Sequence, residues 1–193
     1  ESEWQFHSLF DESPVGICQT DPQEGRFLLV NPRFCSMTGY SESELLGRPF
    51  LEITHPDDRS ADLEGGSQLG RGKIPAYQTE KRYIRKDGAL IWAEVKVILV
   101  RDPHGHPLYA LSVISDITER KLLQTKLAEH ASQLQHERNF IDTILNTVAA
   151  LIMVVAPEGR LVRFNAACNT TPGHDFAEFV GAADWQNLIP PEE

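Results

Sequence analysis

Residues 90–100 alternate cleanly. Ile91, Ala93, Val95, Val97 and Leu99 share one parity, and Trp92, Glu94 and Lys96 take the other. A period of two belongs to a strand with one buried face, so the first set is read as core-facing and the second as outward. Residues 77–85 run into Lys86-Asp87-Gly88, a hairpin signal, and Asp102-Pro103-His104-Gly105 turns the chain into a further strand at 108–115. Upstream, Trp4, Phe6, Leu9 and Phe10 predict a short amphipathic helix that stops before Ser13-Pro14. Two short strands at 15–20 and 27–30 flank a turn ending at Gly25. Residues 31–68 read as a string of short helices. Asn31 caps the first, which starts at Pro32 and ends at Gly39. Ser41 and Glu44 form a capping box for the second, closed by Gly47. Pro56-Asp57-Asp58 opens the third with carboxylates at the positive end of its dipole. Gly65-Gly66 and Gly70-x-Gly72 read as helix fraying and loop.

A different period takes over after the last strand. Asp116 is placed to cap a helix with Glu119 three residues on, and neither Gly nor Pro interrupts residues 117–147. Leu127, Leu134, Ile141 and Val148 recur every seventh residue, with Leu123 and Ile144 at the intervening positions. The same seam holds His130 and Glu137 where a coiled coil normally places apolar residues. The pattern predicts a parallel homodimer of modest strength, supported by the N-terminal helix through Trp4 and Phe6. Trp92, set between charges on the outward face, is expected to be covered by another helix or subunit and to relay signals with Asp116 and Thr118.

The chain also echoes itself. The stretch from Phe10-Asp11-Glu12-Ser13-Pro14 to His55-Pro56-Asp57-Asp58 returns roughly 135 positions later, with Asn165 answering Asn31, Gly173 answering Gly39, and Asp175-x-x-Glu178 answering Ser41-x-x-Glu44. The expected organisation is a first unit over 1–116, a connecting helix over 117–147, and the first half of a second unit over 148–193. The second copy stops about halfway, which reads as an excised fragment.

Composition narrows the function. A formal charge of −10 over 193 residues disfavours nucleic acid as a partner, because that affinity rests on Lys and Arg neutralising phosphates. Cys18, Cys35 and Cys168 form no C-x-x-C pair, so no zinc site or disulfide framework is implied and a reducing, cytoplasmic setting fits. No apolar run approaches the ~18 residues of a membrane span, so no direct membrane contact is expected.

Six motifs then stand in register: Asn31-Pro32-Arg33-Phe34, Thr38-Gly39-Tyr40-Ser41, Leu45-Leu46-Gly47-Arg48, His55-Pro56-Asp57-Asp58, Arg85-Lys86-Asp87-Gly88 and Asp116-Ile117-Thr118-Glu119-Arg120-Lys121. Together they resemble a PAS sensor domain with its C-terminal PAC motif. The resemblance covers the first unit fully and a second from about Phe140, where Pro172-Gly173-His174-Asp175 departs from the pattern. It implies an α+β fold, a five-stranded antiparallel sheet of order 2-1-5-4-3 with short helices on one face. It also implies a non-catalytic sensory and dimerisation module upstream of an output domain such as a histidine kinase, diguanylate cyclase or phosphodiesterase.

Such domains hold flavin, haem, a small organic ligand or nothing. The flavin-bonding members carry Asn-Cys-Arg after the Leu-Gly-Arg stretch, which here continues Pro49-Phe50-Leu51. Members that hold FAD have a Trp before the third strand, where Pro75-Ala76-Tyr77 stands. Haem-binding members use a His in the long helix, and residues 57–72 contain none. A small-molecule pocket is therefore expected, lined by Phe34, Met37, Phe50, Leu63, Tyr83, Ala93, Val95, Val97 and Ile114, with Ala93 and Ser112 leaving room; a cofactor-bearing FAD or haem sensor is the alternative reading. His104 and His106 read as a polar loop, Cys18 and Cys35 as structural thiols, and Asp57 and Asp58 as dipole partners without acid-base duty.

Overall fold

The computed structural model describes residues 2–148, 150, 152–169 and 180. The features expected at Pro172, Gly173, His174, Asp175, Glu178 and 190–193 lie outside the described residues, as do the side chains of Trp4 and Phe6. Two compact units divide the chain, Glu1–Gln124 and Thr125–Glu193.

The first unit contains α1 (Ser2–Asp11), β1 (Gly16–Thr20), β2 (Phe27–Val30), α2 (Pro32–Thr38), α3 (Glu42–Leu45), α4 (Phe50–Ile53), a 3-10 turn at Pro56–Asp58, α5 (Arg59–Gly70), β3 (Tyr77–Ile84), β4 (Leu90–Arg101) and β5 (Pro107–Asp116). All strand pairs are antiparallel, and the sheet order is β2-β1-β5-β4-β3, as expected. The helical segment forms as its caps dictate. Asn31 accepts from the Phe34 amide at the start of α2, and Gly39 ends it at φ 77 with its N–H on the Cys35 carbonyl. The Ser41–Glu44 capping box is present. The parity of β4 holds: Ile91, Ala93 and Val95 are buried among Phe27, Phe34, Leu45, Ile53, Tyr83 and Ile114, the larger aliphatic and Phe side chains each contributing about 1.5–3 kcal/mol of hydrophobic stabilisation.

The glycine reading needs correction. Helix α5 runs unbroken through Gly65-Gly66 to Gly70. Gly65 is buried, and a Cβ there would stand 2.2 Å from the Tyr77 ring. That glycine is a close-approach point between α5 and β3, not a frayed end.

Helix α6 spans Thr118–Thr147, and none of its residues is buried. Leu123, Leu127, Leu134, Ile141 and Ile144 are all exposed in the single chain, Leu127 at 71%. The second unit holds β6 (Met153–Val155), β7 (Leu161–Phe164) and α7 (Ala166–Asn169), with the two strands antiparallel around Gly159 at φ 79.

Candidate functional site

A cavity of about 510 Å³ opens over the inward face of the first unit's sheet. Cys18 and Thr20 of β1, Ala110 and Ser112 of β5, and Val95, Val97 and Leu99 of β4 form its floor; Phe50 and Leu51 of α4 and Tyr77, Lys81 and Tyr83 of β3 form its walls. Gln23, Glu24, Leu63, Gly66 and Arg71, all exposed, make the rim. Strand alternation explains the selection, since every second residue of each strand faces the same side.

Of the nine residues expected to line a pocket, Phe50, Leu63, Tyr83, Val95 and Val97 do so, Leu63 from the rim. Phe34, Met37, Ala93 and Ile114 belong instead to the packed core. The Phe34 ring fills that end of the sheet, 5.5 Å from Phe27 and 5.9 Å from Tyr83, and a Cβ on Gly16 would already meet it at 3.1 Å. The small side chains Cys18, Thr20, Ala110 and Ser112 leave space at the other end. Parity fixed the face; only side-chain size along β1 and β5 selected the end.

The polar feature of the cavity is an ion pair that sequence reasoning missed. Lys81 Nζ lies 2.5 Å from Asp62 Oδ2, with the two side chains 5% and 3% exposed. The Lys81 ammonium also stands 4.9 Å from the Phe50 ring centroid and 4.8 Å from that of Tyr83. Burial pushes the ammonium below the ordinary lysine range, and Asp62 pulls it back. The signal was a lysine at the inward parity of β3, between Tyr77 and Tyr83, and an aspartate on the same helical face as Gly65 and Leu69.

The donor set bears on the cofactor readings. Among the described residues, Cys18 is the one cysteine lining the cavity, and burial pushes its thiol up to about 12, although Ser112 and Lys81 act the other way. Cys18 is thus held as a neutral, buried thiol. Among the described residues, no histidine lines the cavity.

On the outward face, the three residues expected to relay signals come together. Trp92 donates its backbone N–H to Thr118 Oγ1 at 3.0 Å and accepts from the Ile117 amide at 2.9 Å. Asp116 Oδ1 caps the helix by accepting from the Thr118 amide at 2.9 Å. The Trp92 ring is covered by Lys121 of α6, 5.0 Å from its centroid, and by its cross-strand partner Arg82 at 5.5 Å. Arg120 and Lys121 both pair with Glu80 of β3.

Asp57 and Asp58 have a role beyond the dipole. Both carboxylate oxygens of Asp58 accept from the Arg82 guanidinium, Oδ2 also accepts from the Arg82 backbone N–H, and Asp57 Oδ2 accepts from the guanidinium at 3.2 Å. That clamp holds the Asp58 carboxyl below the usual range. His55 precedes the 3-10 turn at Pro56–Asp58, its side chain accepting from the Asp57 amide. At the hairpin, Asp102 caps both His104 and His106, and the described residues contain no cluster of three metal-ligating side chains.

A family model for the PAS domain matches residues 14–119. The chain belongs to the PAS domain family. Its curated relatives are signalling proteins: it is 39% identical over 121 residues to the probable diguanylate cyclase DgcE of Escherichia coli, covering 63% of this chain and 11% of that protein. It is 34% identical over 136 residues to the sensor histidine kinase TmoS of Ectopseudomonas mendocina, covering 70% and 14%. The chain thus spans about a seventh or less of these relatives. The crystal structure of a PAS domain from Colwellia psychrerythraea superposes with a TM-score of 0.57 at 23% identity, over 62% of this chain and 99% of that one, which attests the fold alone. Among the described residues, no helix of this PAS protein is long and apolar enough to cross a membrane.

Proposed function

We propose that this chain is the sensory and dimerisation region of a larger signalling protein, with the PAS cavity holding a small organic ligand and α6 carrying the response to an output domain in the same polypeptide. One observation carries the reading: β4 presents Val95 and Val97 to the cavity from one face, while Trp92 of the same strand grips the start of α6. A ligand that shifts this strand therefore shifts the helix start, biasing α6 between registers of similar stability. The His130 and Glu137 seam positions support such a pair of registers, because they weaken any single one. The exposed heptad face of α6 supports a parallel homodimer. The Asn165 contacts described below support a second PAS copy from about residue 148. The free thiols Cys18, Cys35 and Cys168 support a reducing, cytoplasmic setting.

The test is the output of the parent protein measured with and without stimulus. Asp116→Ala is expected to abolish the response while leaving the oligomeric state intact, and Val95→Trp to fill the cavity and remove ligand binding. A normal stimulus response in Asp116→Ala would make α6 a passive tether.

A further inference from the structure

The Lys81–Asp62 pair is buried at the cavity wall, its side chains 5% and 3% exposed. A buried ion pair is often matched or exceeded in stability by apolar residues of the same volume, so its presence in a ligand cavity calls for another account. An ammonium carries three N–H donors. Among the described residues Lys81 spends one, on Asp62, and otherwise stands over the faces of Phe50 and Tyr83, with Cys18 and Asp58 close enough to act on it electrostatically. Two donors therefore remain for an acceptor brought in from the cavity. The pair is neutral as a unit, which decides the charge of that acceptor. A carboxylate would add an uncompensated negative charge beside Asp62, and an ammonium would stand against Lys81, both next to side chains that are themselves withdrawn from water. A carbonyl, ether or hydroxyl oxygen gains a charge-assisted hydrogen bond without either conflict. Beyond the pair, Val95, Val97 and Leu99 form an apolar strip flanked by the rings of Phe50 and Tyr77, a shape that suits a flat body.

We propose that the Lys81–Asp62 pair makes the cavity selective for uncharged, flat organic molecules bearing one hydrogen-bond acceptor, an inference that rests on the cavity being the ligand site. The experiment is a ligand-observed NMR titration of the 193-residue chain near neutral pH with four probes of similar size: acetophenone, toluene, benzoate and benzylammonium. Acetophenone is expected to bind at least about tenfold more tightly than each of the other three, the difference that one charge-assisted hydrogen bond supplies. In the double variant Lys81→Met with Asp62→Leu, which removes both charges together and whose fold is checked by circular dichroism, toluene binding is expected to persist and the advantage of acetophenone to vanish.

The unmodified chain decides the question even if that variant does not fold. Equal binding of toluene and acetophenone overturns the selectivity while leaving the cavity as a ligand site. Tightest binding of benzoate or benzylammonium overturns it by reversing the charge argument. Persistence of the acetophenone advantage in the double variant reassigns the donor to the hydroxyl of Ser112 or Thr20 and overturns the role of the pair. Failure of all four probes to bind removes the ligand-site reading and the inference together.

Discussion

Asn31 and Asn165 make three corresponding hydrogen bonds in their two units. Asn31 Oδ1 accepts from the amides of Ile17 and Phe34, both at 2.9 Å, and its Nδ2 donates to the carbonyls of Phe10 and Val15, both at 3.0 Å. Asn165 Oδ1 accepts from the Ile152 amide at 3.0 Å, and its Nδ2 donates to Leu145 at 2.9 Å and Ala150 at 2.8 Å. Each side chain ties the end of a preceding helix to the first strand of a hairpin, so α6 stands to the second unit as α1 stands to the first. Asn31→Leu strands buried backbone groups as well as removing four bonds, and is expected to cost about 2–4 kcal/mol. Denaturant unfolding measures it, and Asn165→Leu is expected to leave the first unit's transition unchanged.

Adjacent glycines in α5 respond in opposite directions. Gly66 is exposed with nothing within 4 Å of an added Cβ, so Gly66→Ala should stabilise by about 0.5–1 kcal/mol through helix propensity. Gly65→Ala drives a methyl into the Tyr77 ring and should destabilise by about 1–3 kcal/mol. Tyr77→Ala is expected to suppress most of the Gly65→Ala penalty in a double-mutant cycle of unfolding free energies.

The Arg82 clamp gives a pH dependence of definite sign. The folded-state pKa of Asp58 is depressed, so its contribution is fully present above the unfolded value of about 3.9 and is lost as pH falls through the lower folded value. Asp58→Asn should therefore lower stability at pH 7, and the gap between variant and parent should close in acid. Urea midpoints measured from pH 7 down to pH 2 test this; a gap of constant size across that range would contradict it.

The seam on α6 is tested by charge. Leu127→Asp with Leu134→Asp should convert a concentration-dependent dimer into monomers in light scattering, each buried Leu contributing roughly 1.5–3 kcal/mol to association. His130→Leu with Glu137→Leu should strengthen the dimer and hold it in one register. A concentration-independent monomer for the unmodified chain would remove the dimer from the proposal.

Much of the architecture was legible in sequence, because the signals are local. Caps at Asn31, Ser41 and Gly39 and the hairpin turn at Lys86-Asp87-Gly88 act over a few residues, and the parity of β4 needs only the alternation of its own side chains. The internal echo at Asn165 was legible for the same reason. The site was half legible: parity showed which face of the sheet looks inward, and Val95, Val97 and Tyr83 followed from it. Tertiary structure alone decided that the Phe34 ring fills one end of that face, that Lys81 and Asp62, 19 positions apart, meet inside the cavity, and that Gly65 exists to admit Tyr77. Those contacts join residues on different elements. Their energy depends on side-chain volume and on charges excluded from water, neither of which has a period along the chain.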